Sequence, residues 1–199
     1  MKNGSSRLYG HAKRLHHRLM KLLLHACCAP CSTACILGLS ADKLRPDLFW
    51  HNPNIHPYTE YSSRRNSLTA FAKDEGLALI QEDEYGLRRF IKTVDSDHET
   101  RCRRCYKLRL EKTAMAAAQN GYYAFSTTLL VSSYQKHELI RQIGEECASQ
   151  YGIDFFYRDF RPWFREGQKI ARGKGSYMQK YCGCIFSEEE RYLGSNVLR

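Results

Sequence analysis

At 199 residues and 43% hydrophobic content, the chain is long enough for one domain with its own core, and nothing in it suggests a second. Its 31 lysines and arginines against 21 acidic residues give a net charge of +10, which suits a polyanion such as nucleic acid but also serves plain solubility. No apolar run approaches the roughly 20 residues of a membrane helix, and nine cysteines in a chain of this size read as metal or redox chemistry in a reducing, cytoplasmic compartment rather than as a disulfide framework.

Residues 1–19 carry Lys2, Arg7, Lys13, Arg14 and Arg18 and no acid, so the body that follows is only mildly basic. They lack apolar periodicity and are expected to form a flexible basic extension, with Met20-Lys21 an alternative start and 20–199 a single α/β domain. Leu24-His25-Ala26-Cys27 imitates a lipoprotein signal, but three leucines are too short an apolar core for one.

From Lys21 the pattern alternates. Leu22–Ala26 reads as a short buried strand and Ser32–Ala41 as a helix. Leu48–His51 is a second strand, ending in Asn52-Pro53-Asn54-Ile55-His56-Pro57, where two prolines forbid regular structure. Thr59–Glu75 is a helix stopped by Gly76, and Leu77–Ile80 a third strand. An acidic turn and a helix over Leu87–Val94 follow, then a polar loop over Asp95–Arg101. Cys102 or Arg103 opens an alanine-rich helix that ends at Gly121. Tyr122–Ser126 is a fourth strand, Ser132-x-x-Gln135 a capping box for a helix to about Gln150, and Ile153–Tyr157 a fifth strand. Arg158–Gly175 reads as a basic loop, and Ser187-x-x-Glu190 caps a last short helix. Strands separated by helices imply a Rossmann-like (HUP-type) layered parallel sheet with helices on both faces. Its ligands bind beyond the carboxyl ends of the strands.

Cys27, Cys28 and Cys31 stand just after the first strand, where that architecture places chemistry, and no glycine-rich phosphate loop occupies the turn. Cys102 and Cys105, three apart, share one side of a helical turn. Cys182 and Cys184 flank Gly183, which permits a tight turn. A buried thiol can be an ordinary small hydrophobe, but three clusters in one domain make a shared metal centre the better reading. A structural zinc closes with four ligands and a four-iron cluster takes about four thiolates, so seven thiols exceed either. Neighbouring side chains in extended backbone point to opposite faces, so Cys27 and Cys28 are expected to serve different metals, or a metal and a redox-active thiol pair. Cys35 and Cys147 are expected to be core residues.

The pieces Cys27-Cys28-Ala29-Pro30-Cys31-Ser32, Asn52-Pro53-Asn54-Ile55, Glu60-Tyr61-x-x-Arg64, Cys102-x-x-Cys105-Tyr106, Phe125-Ser126-Thr127-Thr128-Leu129 and Tyr181-Cys182-Gly183-Cys184-x-Phe186-Ser187 together resemble the QueH-type epoxyqueuosine reductases, in order from about Lys21 to Arg191. The resemblance implies an oxidoreductase that reduces epoxyqueuosine at the tRNA wobble position to queuosine. It also implies independence from cobalamin, use of a [4Fe-4S] cluster with an additional iron, and an unidentified electron donor. An acidic residue is expected at the extra iron, and Asp83, in the turn after the third strand, is the best placed.

Asp83, His25 and Tyr106 are the candidate proton donors. Candidate contacts to the phosphates of the anticodon loop are Arg64 and Arg65, then Arg101, Arg103 and Arg104 beside a thiol pair. The basic stretch adds Arg158, Arg161, Arg165, Lys169, Arg172 and Lys174, with Trp163 and Phe164 as stacking surfaces or anchors. Competing readings are an iron–sulfur tRNA-thiolating enzyme, which would need the missing ATP-handling loop, a zinc-binding nucleic-acid binder, and a thiol–disulfide oxidoreductase.

Overall fold

A computed structural model describes residues 21–94 and 98–194; the basic extension expected over 1–19 lies outside them. Five short strands form one parallel sheet: β1 (Leu22–His25), β2 (Asp47–Trp50), β3 (Leu79–Gln81), β4 (Ala124–Thr127) and β5 (Asp154–Phe155), in the order β3-β2-β1-β4-β5. β1 is central, and its Leu22, Leu23, Leu24 and His25 are all buried. A strand covered on both faces reads as an unbroken apolar run, as these leucines do. The chain builds outward from β1 in one direction to β3 and in the other through β4 to β5. The crevice where that order reverses therefore lies between the ends of β1 and β4, the usual place for a ligand.

Seven α-helices surround the sheet among the described residues: α1 (Ala29–Ala41), α2 (Tyr58–Asp74), α3 (Leu87–Val94), α4 (His98–Gln119), α5 (His137–Tyr151), α6 (Phe164–Gly173) and α7 (Ile185–Leu193). α1 packs mainly on α6, and α4 packs on α5 as well as on β1 and β4. The approach of α6 to α1 depends on Gly167, where an added Cβ would stand 2.6 Å from the Ala34 Cβ and 2.7 Å from its Cα. No side chain larger than hydrogen fits there without moving a helix.

Several boundaries differ from expectation, each for a visible reason. The basic stretch 158–175 contains helix α6. Its inner face is built from Gly167 and Ala171, too small to register as an apolar stripe. α4 begins at His98, so the part of the expected loop from 98 onward is helical, while 95–97 lie outside the described residues. α5 starts at His137, not under a Ser132 cap: the Ser132 hydroxyl accepts from the Tyr134 amide at 3.2 Å, and Lys136 takes the cap position without a side-chain bond. α7 is capped by Cys184 instead of Ser187, with the Cys184 sulfur accepting from the Ser187 amide at 3.4 Å.

A candidate metal centre

The turn leaving β1 is shaped by its own thiols. Cys28 is the N-cap of α1, in extended backbone, and its sulfur accepts from the Cys31 amide at 3.4 Å, while Pro30 in the first helical turn forfeits no hydrogen bond. Helix N-termini favour negative charge, and both Cys28 and Cys184 occupy one. On the other side of the crevice the Cys27 amide donates to the Thr128 hydroxyl at 3.1 Å, and that hydroxyl lies 3.3 Å from the Cys27 sulfur. Cys27 is thereby tied to the end of β4.

Among the described residues, Cys27, Cys28 and Cys31 are the one group of three or more candidate metal ligands whose donor atoms all lie within 4.8 Å of one another, and all three are buried. The Cys27 and Cys28 sulfurs are 3.8 Å apart. This corrects the expectation that adjacent thiols face opposite ways. The strand ends at His25 and alternation ends with it, so the turn into α1 brings both sulfurs to one point. Hydrogen bonding from Cys28 and Cys31, aided by Thr128, holds Cys27 well below an ordinary thiol, while burial pushes Cys28 up.

The other four thiols gather nearby without joining that tight group, so the seven do not converge on a single point. Cys105 and Cys184 share a small buried cluster with Phe90 and Val94. Cys102 and Cys182 are half-buried, and all nine cysteines are free thiols. Gly183 has a φ of 126° and its Cβ position lies 3.1 Å from the Arg64 guanidinium, so this turn needs glycine for both conformation and space. Cys35 and Cys147 are buried in the core.

Four of these sulfurs receive a hydrogen bond from a side chain that sequence reading does not place at the site. Gln179 Nε2 stands 2.9 Å from the Cys28 sulfur and 3.5 Å from that of Cys31. Gln135 Nε2 donates to Cys182 at 3.2 Å, and Arg109 Nη2 to Cys105 at 3.1 Å. Buried thiols with N–H donors aimed at sulfur are the surroundings a thiolate-bound metal requires, and the residues present fit such a group. Arg109, four residues after Cys105 on α4, was legible only as a spacing.

The remaining candidates fall into place less uniformly. His25 is buried with Nδ1 2.9 Å from the Thr127 hydroxyl and Nε2 3.2 Å from Asn52 Oδ1. Burial pushes its pKa down to about 3, which favours a neutral ring binding β1 to its neighbours and disfavours it as a proton donor. Tyr106 is buried and donates to Gln135 Oε1 at 2.7 Å, and burial pushes its hydroxyl up so that it keeps its proton. Asp83 is 48% exposed on its side chain, pairs with Arg65 and accepts from the Tyr61 hydroxyl at 2.7 Å. The hydrogen bond from Arg65 holds its carboxyl below the usual range, which disfavours it as a proton donor and leaves it outside the tight thiol group.

Arg64 is not a phosphate contact: only 1% exposed, it is bound to Glu60 and to the Tyr181 and Cys182 carbonyls. Arg101 is buried against Glu190 and the Phe186 ring. Arg103 is paired with Glu146, Arg104 donates to the Thr93 carbonyl, and Arg161 is paired with Asp159. Arg165, Lys169 and Arg172 are exposed on α6.

Three buried histidines make the acid limb of stability predictable. His51 and His56 are each pushed by burial to about 4, and His25 to about 3. The unfolded chain takes up these protons near 6.5 whereas the folded chain does not. Stability is therefore complete above pH 6.5 and falls as pH drops through 6.5 towards 4, by about 1.4 kcal/mol per pH unit for each histidine. Urea midpoints measured across that range test this. A midpoint that stays level between pH 6.5 and 4.5 contradicts it.

A parallel α/β sheet with a buried group of three thiols at its switch point defines a layered α/β protein whose crevice could hold a metal. The comparisons with known proteins are specific. The family model described as epoxyqueuosine reductase QueH matches residues 22–190. A protein of that name from Dehalococcoides mccartyi is 37% identical over 172 residues, spanning 86% of this chain and 94% of its own. One from Thermotoga maritima is 35% identical over 180 residues, spanning 85% and 91%. The chain belongs to the epoxyqueuosine reductase QueH family.

Proposed function

We infer that this chain is an oxidoreductase that reduces epoxyqueuosine in tRNA to queuosine. The observation that carries the reading is the convergence of Cys27, Cys28 and Cys31 at the β1/β4 crevice, within the length matched by the family. Both carbon–oxygen bonds of the epoxide break, two electrons and two protons enter, and water leaves as the alkene forms. When bound, a [4Fe-4S] cluster supplies electrons singly and an adjacent iron supplies Lewis acidity.

The chain's own residues do the rest. Cys27, Cys28 and Cys31 would hold metal, with Cys102, Cys105, Cys182 and Cys184 completing the set of ligands or a redox-active pair. Asp83 would reach a metal only by releasing Arg65. Gln179, Gln135 and Arg109 orient the sulfurs and keep water from them. Tyr106 holds a proton beside Gln135, two bonds from the half-buried Cys182 where a substrate could approach. Arg103, Arg104 and Arg161, after exchanging their present partners, and Arg165, Lys169 and Arg172 on α6 supply charge for the anticodon loop; extrusion of the wobble nucleotide brings it to the crevice.

Anaerobically purified protein is expected to be brown, to carry more than about four irons per chain, and to convert epoxyqueuosine to queuosine in tRNA when given a strong reductant. A colourless zinc protein without turnover would overturn the reading.

A further inference from the structure

Arg64 and Arg109 are both buried guanidinium groups close to the thiols, yet they differ in how their charge is met. Arg64 faces the Glu60 carboxylate at 2.6 Å and is neutralised within the fold. Arg109 is 1% exposed, and its guanidinium bonds to the Cys105 carbonyl at 3.2 Å and to the Cys105 sulfur at 3.1 Å. Among the described residues no carboxylate lies within ion-pairing distance of it. Its guanidinium carbon lies 5.7 Å from the centre of the Tyr106 ring. An arginine cannot discard its proton, and a buried cation without a counter-charge costs several kcal/mol. The neighbours able to supply negative charge are sulfurs: Cys105 in contact, with the charges of Cys182 and Cys27 also favouring the guanidinium.

We propose that Arg109 is a positioning residue whose fixed buried charge balances the anionic metal-thiolate centre and raises its reduction potential. It acts through Cys105, not on the substrate. The centre gains one negative charge with each electron accepted, and a nearby cation in a medium of low dielectric favours that state. The inference rests on the reading of the thiols as the seat of an iron–sulfur centre.

Spectroscopic redox titration of the iron-loaded protein tests it with Arg109→Lys and Arg109→Met, and with Arg141→Met, an exposed arginine paired to Glu145 on α5, as a control. At a fixed solution potential the reduced-to-oxidised ratio is expected to fall at least about tenfold in Arg109→Met and to remain near wild type in Arg109→Lys and Arg141→Met. Loss of iron in Arg109→Met alone, with Arg109→Lys loading normally, also supports the assignment of charge. If Lys and Met variants behave alike, whether both unshifted, both shifted or both unloaded, the role is shape or nothing and the proposal is overturned. An iron-free, colourless wild-type protein overturns both this inference and the function beneath it, whereas a brown protein with an unmoved potential overturns this inference alone.

Discussion

Cys28→Ala is expected to lose its bound iron and to reduce epoxyqueuosine tRNA more than about 100-fold more slowly than wild type. That figure is a floor, since disturbing the supporting partners of a metal ligand already costs 10–100-fold. Cys28 contributes more than a ligand atom. Its sulfur accepts from the Cys31 amide, receives the Gln179 amide at 2.9 Å and lies 3.8 Å from the Cys27 sulfur, so alanine removes a helix cap and the centre of the group together. Cys27→Ala should lose the same iron population, because the two sulfurs meet at one point. Cys35→Ala is the informative contrast. It lies one turn beyond Cys31 on the same helix and is equally buried, but stands outside the tight group, so it should keep its iron and pay only in stability. Iron content and absorbance of the three variants decide this. Retention of full iron by Cys28→Ala, or loss of distinct populations in Cys27→Ala and Cys28→Ala, would refute the shared group.

Where sequence reading succeeded and where it failed follows from the range of the forces involved. The run Leu22-Leu23-Leu24 announces a covered central strand, and the position of Cys27 immediately after it locates the crevice, because both are local patterns. Helix α6 was hidden because its contact residues, Gly167 and Ala171, are small for the sake of close approach to α1. The opposite orientation expected of the Cys27 and Cys28 side chains does not occur, because strand alternation does not extend two residues past the strand's end. Gln135 is legible only as half of a capping box with Ser132, and Gln179 belongs to no motif; what makes them part of the site is a sulfur 47 residues away for the first and 151 for the second. Arg64 was read as surface charge, although Glu60 four residues before it on α2 was a visible hint of an internal pair.

That pair sets up the second large effect. Arg64 is the clamp that fixes the Cys182-Gly183-Cys184 turn: its Nη1 donates to the Cys182 carbonyl at 3.1 Å, Nη2 to the Tyr181 carbonyl at 2.9 Å, and Nε to Glu60 at 2.6 Å, with the guanidinium 5.6 Å from the Tyr181 ring. Truncation to alanine strands a buried carboxylate and leaves two carbonyls without their donor, which is expected to cost about 3–5 kcal/mol in urea unfolding. Lysine cannot reproduce the planar fork and should recover only part of that loss. The double variant Glu60→Gln/Arg64→Met should be more stable than Arg64→Met alone, because the stranded charge is then gone. Released from its clamp, the half-buried Cys182 should alkylate faster. The salt dependence of tRNA binding should stay as in wild type, because a buried arginine touches no phosphate. An Arg64→Ala protein within about 1 kcal/mol of wild type, or one with a reduced salt slope, would return this residue to the surface role its charge first suggested.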